Sequence, residues 1–343
     1  MNDSCLFRSV RTAVACMLGA LAFATQGATA PANPVATLAG AARAGPLCVT
    51  HGGVGSPPSL VDGTQAAADS GARVLRRGGA SLDGSIAAVV VMENDPRFNA
   101  GFGANIRLDG KTVQMDAALM TGAGRFGAVA AIERVRNPIL VARAVMDSTP
   151  HLMLAGEGAT NFAHRIGFED VVPISDDAVR KYHARMKRQA EVFGRNDTTY
   201  FDWRRYWNFP GAMPPDLLDW KRWGDTVGGV ARDANGGFSA CLSTGGTSVT
   251  LYGRVGDVPI YGCGLYAGPA GAVACTGEGE EIIKRTMARS VYEQMAKGVP
   301  ARTAVEKTVA AFPARWDLGL IAVDARGWGV AANRPMAYGV AGK

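Results

Sequence analysis

Three threonines at the ends of predicted strands are the side chains best placed for nucleophilic chemistry in this sequence. Thr226 begins a strand directly after Asp225, and Thr244 lies on the strand predicted to pair with it. Thr276 lies at the end of a later strand. A hydroxyl becomes a nucleophile when a base takes its proton. Threonine is also common in strands for its β propensity, so each residue taken singly has an ordinary structural explanation.

Two charged residues accompany these threonines along the chain. Arg254 and Asp257 lie in Gly-Arg-Val-Gly-Asp, between Thr244 and Thr276. Three hydroxyls, one guanidinium and one carboxylate could therefore converge at the same strand ends. The alternative for the two charged residues is a mutual surface salt bridge without a role in function.

Several catalytic motifs are missing from the sequence. It contains no His-Glu-x-x-His, no Cys-x-x-Cys pair and no Gly-x-Ser-x-Gly, and its four histidines are scattered. A zinc site and a serine-hydrolase elbow are therefore disfavoured. The glycines of Gly277-Glu278-Gly279 suggest a phosphate loop, but Glu278, Glu280 and Glu281 would repel phosphate.

The elements that must position these residues form a mixed pattern of helices and hairpins. Turn residues at 109–110, 233–237 and 324–327 predict three hairpins. The predicted strands cover 46–50, 106–108, 112–119, 226–231, 238–243, 261–267, 271–275, 318–323 and 329–333. The predicted helices cover 66–77, 81–92, 137–146, 152–162, 281–297 and 301–311. This order favours an α+β fold with antiparallel sheets over a Rossmann array.

The first thirty residues have the pattern of a signal peptide. Arg8 and Arg11 precede an apolar run over 12–24, and Ala28-Thr29-Ala30 provides a cleavage site after Ala30. The run is too short to span a bilayer, and an N-terminal anchor is the alternative. We expect a periplasmic or secreted protein that has no membrane contact after cleavage.

Composition indicates the class of protein and the partners to expect. Hydrophobic residues make up 48% of the 343 residues, enough for a large core, and six cysteines are too few for a disulfide scaffold. Residues 180–225 carry ten basic and six acidic side chains and so hold most of the net charge of +6. These residues lie in a basic, Trp-rich connector over 170–225. The rest of the mature chain is nearly neutral, which does not favour nucleic acid as a partner.

Eight ordered motifs resemble one family, the N-terminal-nucleophile (Ntn) hydrolases that include plant-type asparaginases, isoaspartyl peptidases and glycosylasparaginases. The motifs are HGG at 51–53, FNAGFG at 98–103, MDAALMTG at 115–122, NPILVARAVM at 137–146, GDTVGGVA at 224–231, STGG at 243–246, GRVGD at 253–257 and CTGEGE at 275–280. The resemblance implies a four-layer αββα sandwich, in which two stacked, mainly antiparallel sheets lie between helix layers.

The resemblance also implies self-processing. The Thr226 hydroxyl would attack the carbonyl of Asp225, and water would resolve the ester into an α subunit of residues 31–225 and a β subunit of residues 226–343, which together form one domain. The freed α-amine of Thr226 has a reference pKa of roughly 8, so it can serve as the base for its own hydroxyl. We expect no cofactor for catalysis, and a dimer of the cleaved pairs.

Further roles are implied for individual residues. Thr244 would tune the nucleophile, Asn99 would hold the region around it, and Thr276 and Gly277 would form the oxyanion hole. Arg254 would bind a substrate α-carboxylate and Asp257 would bind the α-ammonium. Gly277 would also bind the substrate. A structural sodium ion would be held by the backbone carbonyls of Met92, Glu93, Asp95, Phe98, Ala100 and Phe102.

The substrate is less sharply implied than the nucleophile. We expect hydrolysis of β-aspartyl amide bonds in isoaspartyl dipeptides or L-asparagine. A glycosylasparaginase is the alternative, because Asp225 before the nucleophile is typical of that branch. Residues 247–250 replace a usual Asn-Lys pair, and Glu278 replaces a small polar residue. An inactive exported homologue that binds amino acids without turnover is a further alternative.

Overall fold

Eleven strands make up two sheets in the computed structural model, which describes residues 45–107, 109–192, 226–248 and 250–342. The strands are β1 Leu47–Val54, β2 Met115–Thr121, β3 Phe126–Ile132, β4 Met153–Ala155, β5 Val227–Arg232, β6 Phe238–Thr244, β7 Leu265–Gly268, β8 Gly271–Gly277, β9 Leu318–Val323, β10 Trp328–Ala332 and β11 Met336–Gly342. The larger sheet has the order β11-β1-β5-β6-β2-β3-β4, and the smaller has the order β10-β9-β8-β7. Every pairing is antiparallel except that of β3 with β4.

Helices cover the outer faces of both sheets. They are α1 Val61–Arg76, α2 Ser81–Asn94, α3 Pro138–Ser148, α4 Gly156–Arg165, α5 Asp176–Val192, α6 Gly279–Lys284, α7 Met287–Ala296 and α8 Ala301–Ala311. The helices α1 to α3 pack on the larger sheet, and α7 and α8 pack on the smaller. Among the described residues, we find no helix with the length and apolar character needed to cross a membrane.

The alternation of side chains along each strand builds the layers. In β1, Cys48 joins the core beneath the first helix layer, whereas Leu47 and Val49 join the core between the sheets. In β8, Ala274 faces that inter-sheet core and Cys275 faces the second helix layer. Successive residues of a strand point to opposite faces, so each sheet is buried on both sides. The predicted four-layer αββα sandwich is confirmed.

The structure differs from the sequence prediction in a few elements. The helix predicted over 281–297 is two helices, because Thr286 has a positive φ of 41° between α6 and α7. The helix predicted over 152–162 begins instead with the edge strand β4. Residue 108 lies outside the described residues; among the others, the strands predicted over 106–108 and 112–119 meet only through an isolated bridge of Ile106 with Val113 before β2 begins.

Besides β4, the strands β3 and β11 were not predicted. β3 is buried along its whole length, so it lacks the alternation of a half-exposed strand. β11 contains two glycines and is defined by its pairing with β1.

Some predictions lie outside the described residues. They are the signal peptide over 1–30, the residue Asp225, and the connector beyond α5 over 193–225. The four cysteines within the described residues, Cys48, Cys241, Cys263 and Cys275, are buried and free.

Candidate active site

The hairpin of β5 and β6 brings two of the predicted threonines together. Thr226 immediately precedes β5, and the pairing of Val227 with Ser243 sets it beside Thr244 at the end of β6. The Thr226 hydroxyl donates a hydrogen bond to Thr244 Oγ1 over 3.3 Å. A hydroxyl that donates its proton keeps its oxygen lone pairs for attack on a carbonyl carbon, so this contact suits a nucleophile.

Asn99 holds the turn that follows Thr244. Its side-chain Nδ2 donates to the backbone carbonyl of Gly246 over 2.7 Å. The backbone carbonyl of Asn99 accepts from the backbone N–H of Gly245 over 2.9 Å. The backbone N–H of Gly246 in turn donates to Thr244 Oγ1 over 2.9 Å. Gly246 has a φ of +75°, which only glycine adopts readily. Asn99 therefore orients Thr244 through the turn, and among the described residues it makes no hydrogen bond to the Thr226 hydroxyl.

The end of β8 supplies the third threonine. β8 packs across the sheet interface on β5, and Thr276 Oγ1 accepts a hydrogen bond from the backbone N–H of Val54 over 3.2 Å. Because its oxygen accepts there, the hydroxyl proton of Thr276 is left to be donated. Gly277 has a φ of +139°, and a Cβ at this position would lie 2.1 Å from the carbonyl oxygen of Asp317. Only glycine fits at position 277, because any side chain there would clash with Asp317 and would be strained at this φ.

His51, which the sequence analysis did not assign to the site, is buried in β1 beside the start of β5. A Cβ on Gly228 would lie 2.3 Å from its Nε2. Burial lowers the pKa of His51 to about 3, and the backbone of Thr226 opposes that shift. Neither ring nitrogen has a hydrogen bond of good geometry within the described residues. The imidazole is therefore neutral at pH 7 and far too weak a base to take the Thr226 proton.

Arg254 and Asp257 converge at the N-terminus of α6. A Cβ on Gly279 would lie 2.8 Å from Arg254 Nη2 and 3.0 Å from Asp257 Oδ1. Arg254 donates from Nη2 and Nε to the two carboxylate oxygens of Glu280, over 2.9 and 3.3 Å. Burial acts to lower the pKa of Arg254, but the carboxylates of Glu280, Asp116 and Asp257 together outweigh it and the net shift is upward.

Asp257 is buried, and this burial raises its pKa to about 7. Its Oδ2 has no hydrogen-bond partner in the described part of the chain. The arrangement differs from a mutual surface salt bridge, because the ion pair of Arg254 is with Glu280 and Asp257 keeps an acceptor unused. A guanidinium and a carboxylate that converge in this way can bind the carboxylate and the ammonium of an amino acid.

Asp116 on β2 is a second residue that the sequence analysis did not assign to the site. It is buried opposite Thr244, and it accepts hydrogen bonds from the backbone N–H groups of Ala131 and Gly256 over 2.7 and 3.3 Å. Burial raises its pKa, and Arg254 is among the charges that oppose this. Asp116 lies within the MDAALMTG motif and Glu280 within CTGEGE, so the motifs were the only sequence signal for either residue.

The loop after α2 holds the backbone carbonyls that are predicted to bind a sodium ion. A Cβ at Gly101 would lie 2.4 Å from the carbonyl oxygen of Glu93, and one at Gly103 would lie 2.1 Å from that of Phe98. The glycines thus open a cradle of backbone carbonyls, the donors that a hard cation prefers. Other carbonyls of the predicted set, those of Met92, Asp95 and Ala100, each accept one backbone hydrogen bond and retain a lone pair. The residues fit, and sodium binding stays a prediction.

The chain was compared with known proteins. A family model described as Asparaginase matches residues 46–341. The plant-type L-asparaginase of Thermococcus kodakarensis is 38% identical over 81% of this chain and 90% of its own length. The isoaspartyl peptidase/L-asparaginase of Danio rerio is 37% identical over 82% and 87%, and the isoaspartyl peptidase of Escherichia coli is 36% identical over 80% and 87%. This chain therefore belongs to the asparaginase family of Ntn hydrolases and is a hydrolase that acts on amide bonds.

Proposed function

We propose that this protein is a self-processing threonine amidohydrolase that cleaves β-aspartyl amide bonds. The observation that carries the proposal is the contact of the Thr226 and Thr244 hydroxyls at the start of β5. In the precursor, the Thr226 oxygen attacks the carbonyl carbon of Asp225, and the backbone nitrogen of Thr226 leaves as its α-amine. Water hydrolyses the resulting ester and frees the new C-terminus at Asp225.

The mature enzyme repeats this chemistry on its substrate. The α-amine takes the Thr226 hydroxyl proton, and the oxygen attacks the β-carbonyl carbon. The developing oxyanion is stabilised at Thr276 and Gly277. The amine of the substrate amide leaves with the proton that the Thr226 α-amine had taken. Water then cleaves the β-aspartyl ester and releases aspartate. The pKa of about 3 for His51 supports the amine as the base, because the imidazole is too acidic when protonated to hold this proton.

The substrate class follows from the charges at the N-terminus of α6. We infer that Arg254 binds the α-carboxylate and Asp257 the α-ammonium of the aspartyl group. This pairing leaves the β-carbonyl to the nucleophile, which favours β-aspartyl amides such as isoaspartyl dipeptides and L-asparagine. Relatives named L-asparaginase and isoaspartyl peptidase support the same class.

Intact-mass analysis of the purified protein tests the processing. We expect masses that correspond to residues 31–225 and 226–343. Thr226→Ala removes the nucleophile, so it should leave a single chain and reduce turnover to background. Thr308→Ala makes the same change on α8, away from the site, and should be processed normally. A wild-type protein that stays one chain after prolonged incubation contradicts the proposal and favours a binding homologue without turnover.

A panel of three substrates tests the specificity. Purified protein is incubated with β-aspartyl-leucine, L-asparagine and an asparagine that carries N-acetylglucosamine on its side-chain nitrogen. We expect release of aspartate from the first two. Turnover of the glycosylated substrate alone would replace the proposal with a glycosylasparaginase.

A further inference from the structure

Arg107, beneath the turn that follows Thr244, is a buried arginine with incomplete hydrogen bonding. The residue is 1% exposed. Its Nη2 donates to the backbone carbonyls of Gln114 and Arg254 over 3.0 and 3.3 Å. Its Nε and Nη1 have no partner among the described residues. Most buried polar groups are paired, so these two nitrogens need an explanation.

The unpaired side of Arg107 faces the carboxylate site. A Cβ on Gly246 would lie 2.9 Å from Arg107 Nη1 and 3.6 Å from Arg254 Nη1, so the two guanidinium groups share the space beside this glycine. Glu280 engages Nε and Nη2 of Arg254, on the other side of that group. Burial lowers the pKa of Arg107 to about 10, the charge of Asp116 opposes this shift, and the charge of Arg254 adds to it, so the guanidinium is charged at pH 7.

The stability of the fold does not explain this arrangement. A buried charge without full pairing costs free energy, and a second positive charge beside it adds to the cost. Arg232, at the other end of β5, is buried in the ordinary way: all three of its guanidinium nitrogens donate to the backbone carbonyls of Gly45 and Asp324. A ligand that brings negative charge would offset the cost at Arg107 and leave the one at Arg232 unchanged.

We propose that Arg107 is a positioning residue of the carboxylate site, which supports Arg254 from behind and adds a second positive charge that strengthens binding of an α-carboxylate. This inference rests on the role of Arg254 in the proposed function. Arg107 acts through the backbone carbonyl of Arg254 and through its field, and it needs no direct contact with the substrate. The absence of a side chain at Gly246 lets the two guanidinium groups approach each other.

Calorimetric titration with two ligands tests the inference. L-Aspartate carries the α-carboxylate, and its α-carboxamide, L-isoasparagine, differs only in lacking that charge. We expect Arg107→Met to weaken L-aspartate binding by about tenfold or more, the usual effect of a lost interaction with a charged group. Binding of L-isoasparagine should change less than about twofold. The two proteins and two ligands form a thermodynamic cycle, which isolates the coupling between Arg107 and the α-carboxylate.

Two further variants separate charge from shape. Arg107→Lys keeps the charge and should retain most of the L-aspartate affinity, whereas Arg107→Gln keeps a donor without charge and should behave like Arg107→Met. Arg232→Met is the matched control, because it removes a buried arginine outside the site and should bind both ligands as the wild type does. With a β-aspartyl substrate, Arg107→Met should raise KM and leave kcat nearly unchanged.

Several results would overturn the inference. They are unchanged L-aspartate affinity in Arg107→Met, an equal loss for both ligands, and a wild type that does not bind L-aspartate. Failure of both Arg107→Met and Arg107→Gln to fold would also overturn it, because Arg107 would then be a structural residue. Binding of L-aspartate that depends on Arg107, without any turnover by the wild type, would refute the proposed function and leave this inference standing.

Discussion

The two ends of β5 differ in how completely their buried polar groups are hydrogen-bonded. Within the described residues, seven buried side-chain polar atoms have no hydrogen-bond partner of good geometry, and six of them belong to His51, Arg107, Ser243 and Asp257 around the start of the strand. The strand spans about 20 Å, and at its other end Arg232 and Asp233 are fully paired. Incomplete hydrogen bonding is thus concentrated at the candidate site.

The paired end is built to hold helices in place. Asp233 follows β5, and one of its oxygens accepts from the backbone N–H of Ser81, the first residue of α2, over 2.9 Å. Asp324 follows β9 and accepts from the backbone N–H of Ala301, the first residue of α8, over 2.8 Å. Each aspartate also accepts hydrogen bonds within its own hairpin. The hairpin end therefore contributes stability, while the start of β5 keeps polar groups available for a substrate.

After Thr226 itself, the largest effect of a single change should come from Thr244, which ends β6 beside the start of β5. Thr244→Val keeps the shape but removes the oxygen that accepts from the Thr226 hydroxyl and from Gly246 N–H. We expect kcat to fall by about 10²-fold or more. Unfolding free energy should fall by only about 1–2 kcal/mol, the cost of the unpaired N–H. Steady-state kinetics and thermal unfolding measure the two effects.

Thr308→Val is the control for that change, since it removes a hydroxyl bonded to a helix carbonyl on α8. It should leave kcat unchanged. A Thr244→Val enzyme with wild-type kcat would show that the contact of the two threonines has no catalytic role and would remove the contrast between the two ends of β5.

The next effect should come from the paired end and should act on stability. Asp233→Ala removes the acceptor for the first N–H of α2 and for two hairpin N–H groups. We expect a loss of about 2 kcal/mol in unfolding free energy, with kcat and KM of the folded enzyme unchanged. Denaturant titration measures the loss, and Asp233→Asn, which keeps one acceptor oxygen, should recover part of it. A large fall in kcat at full folding would contradict the separation of roles.

The smallest effect near neutral pH should be the pH dependence set by Asp257. Its pKa of about 7 means that the carboxylate is progressively protonated below neutral pH and no longer pairs with the α-ammonium. Because the Thr226 α-amine, with a reference pKa of roughly 8, is also protonated in this range, we expect kcat/KM to fall by more than about tenfold for each pH unit below 7. A pH profile of kcat/KM with an acid limb near pH 4 would contradict this assignment.

The sign of the stability effect is opposite. The folded pKa is raised above the usual value of 3.8, so the fold favours the protonated form and loses stability as pH rises from about 4 through 7. Asp257→Asn removes this titration, and its stability relative to the wild type should therefore increase between pH 5 and pH 8. Thermal unfolding across that range measures the difference.

Local chemistry made part of the fold predictable. The turn residues at 233–237 and 324–327 form hairpins as predicted, and α8 has the predicted bounds, because turn and helix signals lie within short windows of sequence. β3 and β4 were not predicted, since a strand buried on both faces and a three-residue edge strand carry no clear periodicity. Thr286 divides the predicted helix over 281–297 through its backbone conformation, which its residue type does not reveal.

The residue types and their order along the chain determined the candidate nucleophile and its companions: Thr226 at the start of a strand, Thr244 opposite it, and Arg254 and Asp257 near a glycine-rich turn. Only the tertiary structure decided their electrostatics. Glu280 engages Arg254, burial raises the pKa of Asp257, and Arg107 lies unpaired beneath Gly246. These properties depend on which strands stack across two sheets and what they exclude from water, and such long-range packing leaves no signature in a short stretch of sequence.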